Sequence, residues 1–199
     1  MSQKSKELYS RLLEAFPQME AIQPGKYCQY GESKIIDEIF DVIGTTNKFC
    51  VEFGAGTGYF LSNTRKLIDE GWDSLLMEGD TSRDWTVGQS GKKIEQNTHG
   101  GKYDPNIREE FVTAENVNEL FGKYNVPENP DLVSIDLDGN DLWIWKALKY
   151  QPRVVVIEFN GCIPVWVSKT IKYNPEHQYG RNDYYGASFE ALKKLGHEM

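Results

Sequence analysis

A chain of 199 residues, 39% hydrophobic and 26% charged, has the composition of one globular domain long enough to bury a core. Its formal charge of −8 and lack of any Lys/Arg cluster argue against a nucleic-acid partner. No apolar run approaches the ~18 residues of a membrane span, and the N-terminal segment lacks the apolar stretch of a signal peptide. Three cysteines without metal-ligand spacing (Cys28, Cys50 and Cys162) fit a reducing, cytoplasmic setting.

In chain order, two helical patterns come first. Leu8, Tyr9, Leu12, Leu13 and Phe16 have helical spacing, and so do Ile35, Ile36, Ile39, Phe40 and Ile43. Residues 48–53 form a short apolar run ending at a glycine cluster, which predicts a first buried strand. A helix is expected over 59–70, stopped near Gly71, and a second strand over 74–77. Residues 81–107 are polar and hold at most one helix. A third strand is expected over 111–113. Asn116 and Glu119 then have capping-box spacing before the stripe Val117, Leu120, Phe121 and Tyr124. Strands over 132–137 and 153–159 flank a Trp-rich helix over 142–148, and a helix over 188–195 ends the pattern. Residues 1–45 thus contribute helices and 46–199 an α/β core, in a single domain.

Continuous apolar strands separated by helices predict a mostly parallel, doubly wound sheet covered on both faces. In such a sheet the ligand crevice lies at the carboxyl ends of the strands, where the unusual acidic residues of this chain fall.

The sharpest motif is Glu52-Phe53-Gly54-Ala55-Gly56-Thr57-Gly58. Glycines at alternate positions after a strand let the main chain turn tightly and approach a ligand closely, and the next helix points its amino end at that ligand. A dinucleotide fingerprint would need glycine where Tyr59 stands, and the Gly-Lys-Ser/Thr ending of a phosphate-binding P-loop is missing. The pattern E-x-G-x-G-x-G resembles instead the first motif of class I S-adenosylmethionine-dependent methyltransferases. Glu78, followed by Gly79, stands 20 residues after Gly58, at the tip of the second strand. A carboxylate there can accept hydrogen bonds from both hydroxyls of a ribose.

Asp136 and Asp138 alternate with apolar residues, so both are expected to project from one side of an extended segment. Paired like charges need a cation to compensate them: the sulfonium and amino groups of such a cofactor, or a metal ion. Asp136, Glu158 and Asn160 would offer hard oxygen ligands suited to Mg²⁺, which can acidify a substrate hydroxyl. Without a metal, Asp138 is a candidate base. His177 is another, in the long segment 161–186, where Tyr173, Tyr179, Arg181, Tyr184 and Tyr185 can line an acceptor pocket.

Residues 49–80, 131–148 (DLVSIDLDGNDLWIWKAL) and 153–160 (RVVVIEFN), with Gln29-Tyr30-Gly31-Glu32 ahead of them, resemble the FkbM-type methyltransferases. The resemblance implies a Rossmann-like class I fold and S-adenosyl-L-methionine as cofactor. Glu52 would fix its methionine end, Gly54, Ala55, Gly56 and Gly58 would line it, and Glu115 would contact adenine. It also implies methyl transfer to a hydroxyl oxygen of a small molecule or sugar. One departure stands out: the chain stops soon after the last helix, with no room for the two strands that complete the family's sheet. That leaves the fifth strand as an edge open to a second copy in a homodimer, and it motivates an alternative, a catalytically silent binding or assembly module.

Overall fold

Apolar runs bounded by glycine or polar turns form four of the five strands: β1 (Phe49–Phe53), β2 (Asp73–Glu78), β4 (Leu132–Ile135) and β5 (Val154–Ile157). β3 (Arg108–Glu109) is only two polar residues, held by main-chain pairing with the end of β2. The computed structural model describes residues 27–29, 31–84, 86 and 101–199, together with positions 3, 6, 7, 10 and 11. All strand pairs are parallel, in the order β3-β2-β1-β4-β5, which makes the molecule an α/β protein with a Rossmann-like sheet. Among the described residues the sheet ends at β5, whose four residues are all partly exposed.

Parallel strands need crossovers: α2 (Arg65–Asp69) lies between β1 and β2, α3 (Val117–Lys123) between β3 and β4, and α4 (Asp141–Ala147) between β4 and β5, while α1 (Glu32–Ile43) precedes β1 and α5 (Phe189–Glu198) follows β5. Strand alternation sorts the core. Val51, Phe53, Leu75, Met77, Val133 and Ile135 meet α3 and α4, whereas Cys50 and Leu132 meet Ile36, Phe40, Leu67 and Trp72 on the opposite face. α5 packs on the first of these faces through Leu192 and Leu195, beside Leu142. Ser188 caps it, its hydroxyl accepting from Ala191 N. No described helix is long and apolar enough to cross a membrane.

Three expectations shift. The helix expected over 59–70 shrinks to Arg65–Asp69, because Leu61 adopts φ 57° and Ser62, Asn63 and Thr64 are bound to Glu52. The third strand falls at Arg108–Glu109 instead of 111–113; Val112 is buried for packing, not for pairing. Asn116 does not form the capping box: its Oδ1 accepts from Thr113 N and its Nδ2 donates to Phe111 O, pinning the incoming loop. Leu8, Tyr9, Leu12, Leu13 and Phe16 lie outside the described residues.

Candidate functional site

The register of the sheet aligns what the sequence scatters. Leu76, Glu52, Ser134 and Val156 lie side by side across β2, β1, β4 and β5. Two residues further along each chain come Glu78, Gly54, Asp136 and Glu158, the carboxyl-end row of the sheet. Three are acidic, and the fourth has no side chain. A Cβ on Gly54 would stand 1.8 Å from the Asp136 carbonyl oxygen, and its φ of 67° is one that L side chains rarely adopt. Glycine is therefore what allows β1 and β4 to approach each other above the sheet.

Beyond Gly54 the loop is tied to β2. Ala55 N donates to Met77 O at 3.0 Å, and Gly56 N donates to Glu78 Oε2 at 2.8 Å. Gly58 packs under Asp104, Leu76 and Ile107, with Asp104 N bonded to Thr57 O at 2.8 Å. Arg65 holds Asp104 in place by an ion pair of 2.8 Å, both side chains being nearly buried. Sequence reasoning missed this buttress. Its partners lie 39 residues apart, and Asp104 sits in the polar stretch with no periodicity.

Glu52 serves another purpose than the expected contact with a methionine end. Alternation points its side chain to the α1/α2 face, where it is 3% exposed. Both oxygens are taken, by the Ser62 and Thr64 hydroxyls at 2.5 and 2.7 Å and by Asn63 N at 2.7 Å. Burial pushes its carboxyl up, and these hydrogen bonds work against that shift. The residue organises the segment after the glycine loop.

Glu78 faces the glycine loop, its Oε2 accepting from Gly56 N and its Oε1 from Asp80 N. Burial raises its carboxyl, opposed by the main-chain N–H groups of Asp80, Gly56 and Gly79. Gly79 is covered by the Phe111 ring, whose nearest carbon would stand 3.0 Å from an added Cβ. Beyond it, Glu115 is exposed and receives the Tyr173 hydroxyl, which lowers the Glu115 carboxyl.

The acidic cluster gathers with one change of member. Asp136, Asp138 and Glu158 each offer an oxygen within 4.8 Å of the others. Asn160 is not among them: it is 1% exposed and structural, donating to Asp183 O and Tyr185 O and accepting from Cys162 N. β4 ends at Ile135 and Asp138 has φ 54°, so Asp138 arrives through a left-handed turn and not by strand alternation. Asp141, fully buried, braces that turn by accepting from Leu137 N and Gly139 N at 2.8 and 2.9 Å.

Burial raises the Asp138 carboxyl, and the charges of Arg83 and His177 work against that shift. The tip of Asp136 is exposed, yet protein surrounds it; burial first, then Asp141, Asp138 and Glu52, push its carboxyl up to about 7. Glu158 is pushed up to about 9 by burial and then by Asp136, Asp141 and Asp138. Its Oε2 is buried without a hydrogen-bond partner. The donor set and that orphaned oxygen fit a hard divalent cation. The His177 ring lies against Gly139, next to Asp138, with Nε2 also buried and unpartnered.

An open recess of about 340 Å³ lies away from this row, beside Trp72, Ser74, Leu75 and Arg108. It exists because β3 pairs only with Met77 and Glu78, leaving the first residues of β2 uncovered on that edge.

Fold and site together define a Rossmann-like α/β protein with a glycine loop set in an acidic carboxyl-end row. Compared with known proteins, the chain matches no family model, no curated protein and no solved structure.

Proposed function

We propose that this protein binds S-adenosyl-L-methionine and transfers its methyl group to a hydroxyl oxygen of a small molecule or sugar, as a class I methyltransferase of the FkbM type. The reading is carried by one contact. Gly56 N–H, in the loop after β1, meets the Glu78 carboxylate from β2 at 2.8 Å. The two strongest motifs of the sequence thus converge at the carboxyl ends of adjacent strands, where doubly wound sheets hold their ligands. Gly54, Ala55, Gly56 and Gly58 supply a main-chain cradle, Glu78 and Gly79 the ribose contact, and Glu115 the base contact.

When bound, the cofactor supplies an electrophilic methyl carbon on a positively charged sulfur. The acidic row complements that charge, Asp136 being next to Gly54 in register. Alignment of acceptor and methyl carbon can contribute about 7–11 kcal/mol. A carboxyl near 7, such as Asp136, is poised to take the acceptor's proton, with Asp138 and His177 on the same side. Asp136, Asp138 and Glu158 can instead hold Mg²⁺, which would lower the acceptor's pKa by Lewis-acid polarisation. Turnover that survives a chelator assigns the proton to a carboxylate. Turnover lost to a chelator and restored by Mg²⁺ assigns the cation.

Calorimetric titration with S-adenosylhomocysteine tests the reading. Binding by the wild type, weakened at least tenfold in Glu78→Ala and abolished in Gly56→Val, supports it; no heat and no thermal shift with either cofactor form removes it. A silent binding or assembly module is the alternative favoured by the edge of β5, which no strand among the described residues pairs with and a second copy can. A dimer that binds the cofactor without ever consuming it decides for that module. The reading places the protein in a reducing compartment such as the cytoplasm.

A further inference from the structure

The segment between β5 and α5 is a strap fastened at several points. Ser188 N donates to Lys169 O at 2.8 Å, and Lys169 N donates to Ser188 Oγ at 2.9 Å. Ile171 is buried, with its N–H on Gly186 O and its carbonyl accepting from Trp143 Nε1 at 2.9 Å. Asn140 Nδ2 donates to Asn174 O at 2.7 Å. Between these pegs the side chain of Tyr173 crosses α4, its ring centroid 6.2 Å from that of Trp143. The hydroxyl ends among the residues that follow β3, where it accepts from Ala114 N at 3.2 Å and donates to the Glu115 carboxylate.

A main-chain N–H beside a carboxylate is a donor–acceptor pair. Its complement is a flat edge carrying an acceptor nitrogen next to an amino group, as in a 6-aminopurine. Hypoxanthine reverses that edge and does not fit. The pair belongs to the same wall as Glu78: Phe111 packs on Gly79, and the Phe111 carbonyl is tied to Asn116 Nδ2 at 2.9 Å.

The geometry points to Tyr173 as a latch on this wall, its hydroxyl occupying the donor–acceptor pair that a 6-aminopurine nucleoside needs. The inference rests on the nucleoside-cofactor reading above and adds a regulation to it. Strap docking and base binding are alternatives at Ala114 and Glu115. Because main-chain pegs hold the strap on both sides, opening requires only the Tyr173 side chain to swing away. The ligand must displace two hydrogen bonds, one of them to a charged group, so the closed latch weakens its binding.

Tyr173→Phe keeps the ring beside Trp143 and removes the hydroxyl. Titrated with S-adenosylhomocysteine, the variant is expected to bind about tenfold more tightly than the wild type, the scale of such hydrogen bonds. S-Inosylhomocysteine, with hypoxanthine, should bind weakly to both. In the wild type, the Tyr173 ring resonances should shift when S-adenosylhomocysteine binds, a readout that needs no variant. Equal or weaker binding by Tyr173→Phe, or Tyr173 ring resonances unchanged by the bound ligand, overturns the latch and leaves the cofactor reading standing. Absence of binding by both proteins overturns the two together.

Discussion

Asp131 and Asp136 bracket the same short strand, β4, and meet opposite surroundings. Asp131 precedes the strand at the amino end of the sheet, its side chain fully buried. It accepts from Thr46, Asn47 and Lys48 N–H groups and from the Thr46 hydroxyl, and it pairs with Arg153 at 2.6 Å. Burial works to raise its carboxyl, yet Arg153 and those donors outweigh burial and hold it at about 2. Asp136 follows the strand, where burial first and then the surrounding carboxylates push it up to about 7. A carboxylate supplied with fixed donors strengthens the fold. One left short of them, at the end where such sheets hold ligands, keeps its capacity for a proton, a cation or a cofactor.

Substitutions test this contrast, the largest effect first. Asp131→Ala strips Arg153 and several main-chain donors of their acceptor and should cost about 3–5 kcal/mol in urea unfolding. Because the Asp131 carboxyl is depressed, its stabilisation is present above the ordinary carboxylate range and lost as pH falls towards 2. The variant should therefore show a flatter acid limb than the wild type. A variant as stable as the wild type would break the comparison at its structural end.

Gly54→Ala attacks the other end. With backbone carbonyl 1.8 Å from the new Cβ, relief must come from main-chain movement between β1 and β4. A loss of about 2–4 kcal/mol is expected, comparable to other severe steric changes, with cofactor binding lost as well.

The smallest effect has the opposite sign. Asp136 and Glu158 have raised carboxyls, so the stability they allow is fully present below the ordinary carboxylate range. It is lost as pH rises through about 7 and about 9. Glu158→Gln should leave the melting temperature unchanged near pH 4 and raise stability by about 1 kcal/mol at pH 9. Equal stability at both pH values would mean that the crowding of carboxylates has no energetic consequence.

How much of this was legible depended on range. The glycine loop and the acidic strand ends are written in neighbouring residues, and the structure brings Glu78 to Gly56 as their spacing implies. β3 was misplaced because apolar pattern reports burial: Phe111 and Val112 pack against Gly79 and the core, while exposed Arg108 and Glu109 make the pairing. Glu52 was given to a ligand because its motif position is silent about which face of the sheet it takes. The hydroxyls of Ser62 and Thr64, ten and twelve residues on, claim it instead. Asp138 takes the place expected for Asn160 among the clustered oxygens for a similar reason, since a left-handed turn at Asp138 is not encoded by alternation.

By itself, the order of residues determined the fold class, the strand-to-glycine turn and the placement of acidic residues at strand ends, since each depends on periodicity or on one turn's stereochemistry. Tertiary structure alone decided which acids are satisfied. Hydrogen-bond donors for Asp131 come from residues 22 and 83–85 positions away, and the neighbours that frustrate Glu158 come from an adjacent strand and its loop. Register and crossover geometry set those distances, and a carboxylate's energy depends on what stands within a few ångströms, however far along the chain it lies.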